Sequence, residues 1–94
     1  KMFFVYILYS PRFGRPYTGQ TDNVEKRFAR HNAGMVLATK SFRPWELVRQ
    51  EQYKTRAEAM KREKWLKSGV GRKYVWKLIA AHKKQVEKDQ YPIT

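Results

Sequence analysis

The chain is 94 residues long and carries 21 Lys and Arg against 8 Asp and Glu, a formal charge of +13. That length predicts one domain with one small core, burying roughly 60–65% of the surface exposed by the unfolded chain. An apolar share of 41% supplies the core and excludes a disordered tail, while so large a positive surplus points to a polyanionic partner.

Residues 3–9 are apolar at both odd positions (Phe3, Val5, Ile7, Tyr9) and even ones (Phe4, Tyr6, Leu8). A strand apolar on both faces belongs in the middle of a sheet. Ser-Pro-Arg follows with no small-residue cleavage site, so the run reads as a strand and not as a signal peptide. Two prolines and a glycine make residues 10–16 a turn, and residues 17–20 return as a short second strand. Thr21, Asp22 and Asn23 are N-cap residues, with Glu25 three after Asp22, and Val24, Phe28 and His31 form one helical stripe ending at Gly34.

Residues 35–44 are a loop, and residues 45–53 give a third strand with one polar face. Thr55 and Glu58 have the spacing of a capping box, opening a second helix to about residue 68. Gly69 and Gly71 separate it from a third helix over residues 72–84, with a polar tail over 85–94. No repeat or linker divides the chain, so one α+β domain in the order ββαβαα, with an antiparallel sheet, is expected over residues 1–84. The absence of cysteine excludes a disulfide framework, a thiolate metal site and a cysteine nucleophile, and fits a reducing, cytoplasmic setting. No run of about 18 apolar residues is present.

Chemistry on a polyanion needs positive charge, a carboxylate for a metal ion and an acceptor for a water proton. Glu25 and Glu58 are explained by their helix N-termini, Glu87 and Asp89 by the tail, and Glu46 and Glu51 by an exposed edge or face of the third strand. Glu63 is different. At about 100° per residue it falls between Met60 and Leu66, near Ala59, inside the apolar stripe of its helix. A carboxylate there requires a cation, a hydrogen-bond network or a metal ion, and Lys61, Arg62, Lys64 and Lys67 leave a local ion pair open as the plainer reading. Arg27 and His31, four apart, share a helix face, where Arg27 either clamps a phosphate or snorkels from the core edge. His31 either serves the site or caps the helix dipole. Tyr6 and Tyr17 either pack between strands or hold a water. Residues 61–77 hold seven cations (Lys61, Arg62, Lys64, Lys67, Arg72, Lys73 and Lys77) interleaved with Trp65, Tyr74 and Trp76, a pattern suited to a nucleic-acid surface that Lys40 and Arg43 extend.

Together these pieces resemble the GIY-YIG nuclease domain, in particular its small stand-alone bacterial members. Phe4-Val5-Tyr6 matches the first motif and Tyr17-Thr18-Gly19 the second, with ten residues between the two tyrosines. Arg27, eight residues after Gly19, falls at the family's catalytic arginine, and His31 at another active-site position. Ala59-Met60-Lys61-Arg62-Glu63 resembles the segment carrying the metal-binding glutamate. The resemblance runs from residue 2 to about 80. Phe4 stands in place of the first motif's glycine, Thr18 in place of the second's isoleucine, and no asparagine follows Asn32, where homing and repair relatives use one.

The resemblance implies a three-stranded antiparallel sheet flanked by helices, and an endonuclease hydrolysing nucleic-acid phosphodiesters, DNA in repair or recombination before RNA. Glu63 would hold one Mg²⁺ or Mn²⁺, Tyr17 with Tyr6 would position or deprotonate water, Arg27 would neutralise the phosphate, and His31 would assist. A protein partner supplying specificity and a nucleoid-associated, cytoplasmic location accompany that reading. Two alternatives stay open at this point: a non-catalytic nucleic-acid binding module retaining the fold, and a protein-interaction adaptor.

Overall fold

A computed structural model of the chain describes residues 1–90. Its elements follow the expected order: strand β1 Phe3–Ser10, strand β2 Arg15–Thr21, helix α1 Val24–Asn32, strand β3 Glu46–Tyr53, helix α2 Arg56–Leu66 and helix α3 Gly69–Gln90, with one 3-10 turn at Lys40–Phe42. The strands form one antiparallel sheet in the order β2-β1-β3. β1 is therefore the central strand, as its two apolar faces require.

The alternation along β1 divides the core in two. Val5, Ile7 and Tyr9 pack against Ala59 and Leu66 of α2 and Val75 and Ile79 of α3. Tyr6 and Leu8 face the other way, against Val24 of α1 and Trp45. Helix α1 thus covers one face of the sheet and α2 with α3 the other, leaving β2 as an edge between the two layers.

Local chemistry sets the boundaries. Asn23 caps α1 by accepting the Lys26 N–H at 3.0 Å. Gly34, at φ 78°, ends it, with the Met35 N–H reaching back to the Arg30 carbonyl at 3.0 Å. The Thr55–Glu58 capping box forms in both directions. Strand β2 begins earlier than expected because Arg15 and Pro16 pair with Ser10 and Tyr9, leaving residues 11–14 as the turn, with Gly14 at φ 62°. Pro16 is tolerated there because β2 is an edge strand.

Helix α3 is longer than expected at both ends. Gly69 and Gly71 do not separate two helices but form its first turn. A Cβ on Gly71 would run into the Trp65 carbonyl and come within 2.7 Å of Leu66 Cα, so this glycine permits the tight corner between α2 and α3. At the other end the helix continues through the polar residues 85–90, and residues 91–94 of the expected tail lie outside the described residues. None of the described helices is long and apolar enough to cross a membrane.

Candidate active site

The site is built where β2 separates the two layers. Tyr6 on β1 stands opposite Gly19 on β2. A Cβ at Gly19 would lie 2.6 Å from the Tyr6 hydroxyl oxygen, so the phenol occupies the space that a side chain on β2 would take. Tyr17, two residues earlier on the same face of β2, brings its ring to 6.3 Å from Tyr6 and 5.0 Å from the His31 ring.

His31 is fully buried. Its Nε2 lies 2.8 Å from the Tyr6 hydroxyl, and its Nδ1 lies 2.7 Å from Thr39 Oγ1. Thr39 donates its own hydroxyl proton to the Val36 carbonyl at 3.4 Å. The ring is thus hydrogen-bonded at both nitrogens, by Tyr6 on one side and Thr39 on the other. Burial, and after it the positive charge of Arg27, lowers the His31 pKa from 6.5 to about 4. This corrects the reading of His31 as a charged cap of the α1 dipole: at neutral pH the ring is uncharged and held from both nitrogens.

The loop that supplies Thr39 is tied down on both sides. Asn32 accepts the Trp45 N–H at 2.7 Å and donates to the Trp45 carbonyl at 3.0 Å, while Trp45 Nε1 donates to the Thr39 carbonyl at 2.9 Å. The end of α1, the loop and the start of β3 are locked together around the imidazole.

Arg27 sits one helical turn before His31, and its Nε is buried without a hydrogen-bond partner among the described residues. Leaving a buried donor unmatched costs about 1–3 kcal/mol, more when the group is charged. Arg27 acts on Tyr6: burial raises the Tyr6 phenol above its ordinary value, hydrogen bonding from the Arg27 side chain and then its charge oppose that rise, and Tyr17 and Glu63 add to it. All four groups that share this field were singled out in the sequence.

Glu63 stands in the opposite layer, on the α2 side of β2, near enough for its charge to act on Tyr6. Gln20 points to the α2 side of β2, since its cross-strand partner is Val5, and its Nε2 donates to Glu63 Oε1 at 3.3 Å. Lys67 pairs with Glu63 Oε2 at 3.3 Å. The carboxylate is 21% exposed and lies at the rim of the core. The sequence wheel placed it deeper, by counting Met60 as core, but Met60 is 53% exposed. The acid that is more deeply buried is Glu51, 11% exposed, and this corrects its placement on an exposed face. Burial alone would raise its carboxyl, but hydrogen bonds from Arg62, Arg49 and Tyr53 outweigh that and hold it low. Glu46 is likewise engaged, 2.7 Å from His82 Nε2.

Of the nine cations expected on the nucleic-acid surface, Lys61, Lys64 and Lys67 line the exposed side of α2 beside Glu63. Arg72, Lys73 and Lys77 are exposed on α3, and Lys40 is exposed at the 3-10 turn. Three are engaged within the protein: Lys67 with Glu63, and Arg62 and Arg43 with other partners. Arg62 bonds Glu51 at 2.8 Å, with its guanidinium 4.8 Å from the Trp65 ring centre. Arg43 donates to the Lys40 carbonyl at 2.9 Å and packs over Gly34. Two further residues had not been singled out. Thr39 and Gln20 carry no motif of their own, and only the loop closure and the strand register reveal them.

The donor set suits a hard divalent cation that keeps most of its waters. Mg²⁺ is commonly held by one or two carboxylates together with substrate phosphate. Glu63 offers one carboxylate, with Gln20 on Oε1 and Lys67 on Oε2, and Gln20 Oε1 beside it is a buried acceptor without a partner among the described residues. Among those residues, no cluster of three His, Cys, Asp or Glu side chains forms a closed metal cage.

The family model described as "GIY-YIG catalytic domain" matches residues 2–75. A UPF0213 protein of Staphylococcus haemolyticus is 51% identical over 53 residues, covering 55% of this chain and 65% of that protein, just under two thirds of its length. A UPF0213 protein of Staphylococcus epidermidis is 46% identical over 66 residues, covering 69% of this chain and 79% of its own. The solution NMR structure of a UPF0213 protein from Bacillus halodurans overlays the whole of both chains with a TM-score of 0.57 and 27% identity.

Proposed function

This chain belongs to the GIY-YIG catalytic-domain family, a family of nucleases that generally use divalent metal ions, and we propose that it is itself a metal-dependent endonuclease acting on nucleic acid, with DNA as the preferred substrate. The observation that carries the reading is Arg27: a guanidinium with a buried, unmatched donor, set beside Tyr6, Tyr17 and His31 without a carboxylate partner among the described residues. It is a positive charge held ready for an anion that the protein does not provide.

Glu63, oriented by Gln20, would hold Mg²⁺ or Mn²⁺. When bound, such an ion polarises a phosphoryl oxygen and stabilises the leaving oxygen. The chain's own residues do the rest. Arg27 neutralises charge developing on the phosphate oxygens, a fixed contribution worth about 10²- to 10³-fold in rate. Tyr17, only half-buried, orients the attacking water at the surface of the site. Tyr6 is buried and acts as a positioning residue. Its hydroxyl is held by His31 Nε2, and Thr39 fixes that ring from the other side, so the phenol keeps one orientation beside Tyr17.

The test is cleavage of branched, single-stranded and duplex DNA and of RNA in Mg²⁺ or Mn²⁺, by the wild type and by Arg27→Ala. Metal-dependent cutting by the wild type, reduced about 10²- to 10³-fold in the variant, supports the reading. Salt-sensitive binding with no cutting would replace it with the non-catalytic binding module.

A further inference from the structure

Between β2 and α3, next to the candidate active site, lies an open groove of about 360 Å³. Thr18 and Leu66 line it, Lys67 and Arg72 border it, and Trp76 forms one wall. Arg72 and Trp76 are four residues apart and share one face of α3. Trp76 is 44% exposed, so part of its indole faces solvent. It is nevertheless held in place, 6.2 Å from the Tyr9 ring and nearly perpendicular to it, at 79°. A fixed aromatic surface facing solvent beside Lys67 and Arg72, with Arg15 a third cation on the groove wall, is the combination that binds a nucleotide, with the base stacked and the phosphate paired.

The position of the groove restricts the nucleotide further. Along α2, Lys67 lies one turn beyond Glu63, about 6 Å. Along β2, Thr18 lies two residues before Gln20, about 7 Å on the same face. Both elements therefore place the groove the same distance from the Glu63–Gln20 pair. A base can stack on the Trp76 ring only when it is released from pairing and stacking in a duplex, so the nucleotide held here is unpaired.

We propose that this groove is a subsite for one unpaired nucleotide adjacent to the scissile phosphate, with Lys67 and Arg72 holding its phosphate and Trp76 stacking its base. The subsite rests on the reading of the chain as a nucleic-acid enzyme, and it makes an unpaired segment beside the cut part of the preferred substrate.

The full chain, without metal, would be titrated against a short fluorescein-labelled oligothymidylate and against a strand of the same length with abasic sites, following anisotropy. The wild type should prefer the strand with bases by roughly 5- to 100-fold, the range of one stacked base. Trp76→Leu, which keeps apolar contact with Tyr9 but offers no ring face, should abolish that preference with an unchanged salt dependence, and Trp76→Phe should restore most of it. Arg72→Gln should instead lower the salt slope by about 0.7. Equal binding of both strands by the wild type, or an unchanged preference in Trp76→Leu, would overturn the subsite. These measurements need no turnover: cutting without a Trp76 effect removes the subsite alone, and a Trp76 effect without cutting removes the nuclease reading alone.

Discussion

The Tyr6 hydroxyl and His31 Nε2 lie 2.8 Å apart, joining the central strand to helix α1 across 25 residues of sequence. The bond is possible because Gly19 leaves room for the phenol and because Thr39 fixes the ring from its other side. Packing and chemistry are therefore the same contact here. The Tyr6 side chain that fills this half of the core also holds the imidazole in place.

The first consequence concerns pH. The His31 pKa is about 4 in the folded chain and 6.5 when unfolded, so between those values the unfolded state binds the extra proton. Stability then falls as pH drops from about 6.5 towards 4, by roughly 3 kcal/mol from this one group. Denaturant melts of the wild type and of His31→Gln at several pH values read the difference directly. The variant should be less stable at pH 7 but markedly flatter across that window, and parallel curves would remove the buried neutral histidine.

Gly19→Ala places a methyl 2.6 Å from the Tyr6 oxygen and 2.7 Å from Tyr6 Cζ. Overpacking of this kind costs about 1–3 kcal/mol. In a Tyr6→Leu background, where both the oxygen and Cζ are gone, the same substitution should cost visibly less. A double-mutant cycle by urea denaturation gives the coupling, and additive costs would show that the phenol does not occupy the Gly19 gap.

Two carboxylates should separate cleanly. Glu51→Gln removes the negative charge and one of the two acceptor oxygens that face Arg62 and Arg49, and should cost about 2–4 kcal/mol, towards the range for breaking a buried pair. Because the Glu51 carboxyl is held low, its contribution is present above the unfolded carboxyl pKa and lost as pH falls through the folded value. Glu63→Gln removes only an i,i+4 pair with an exposed lysine and should shift stability by less than about 0.5 kcal/mol. Thermal melts of both variants at neutral pH check the contrast.

Gln20→Ala should act through Glu63. Groups that orient a metal ligand typically matter 10- to 100-fold in metal affinity or activity, so the Mn²⁺ concentration giving half-maximal cutting should rise by about that factor. Arg27→Ala should not move it, because Arg27 serves the phosphate. An unchanged metal requirement in Gln20→Ala would leave Gln20 a packing residue.

Much of this arrangement could be read from residue types alone. The two apolar faces of residues 3–9 place β1 in the centre, Thr55 and Glu58 open α2, and Gly34 closes α1. Tyr6, Tyr17, Arg27 and His31 do converge. Other features depend on three-dimensional pairing and leave no local trace. Gln20 meets Glu63 only through the strand register, and Thr39 meets His31 only after Asn32 and Trp45 close the loop. Glu51 seemed exposed because its neutralising partner, Arg62, is supplied by the next helix. The wheel misjudged Met60 because α2 presents only a narrow inward arc, Ala59 and Leu66, to the sheet.

Single-turnover cleavage of labelled DNA in Mg²⁺ by the wild type and by Glu63→Gln tests the central claim most directly, since the substitution should leave the fold intact. Cutting by the wild type, slowed at least about 10²-fold in the variant, is the predicted result. Equal rates for the two proteins, or no cutting by the wild type on any branched, single-stranded or duplex substrate, would contradict a metal-dependent nuclease centred on Glu63.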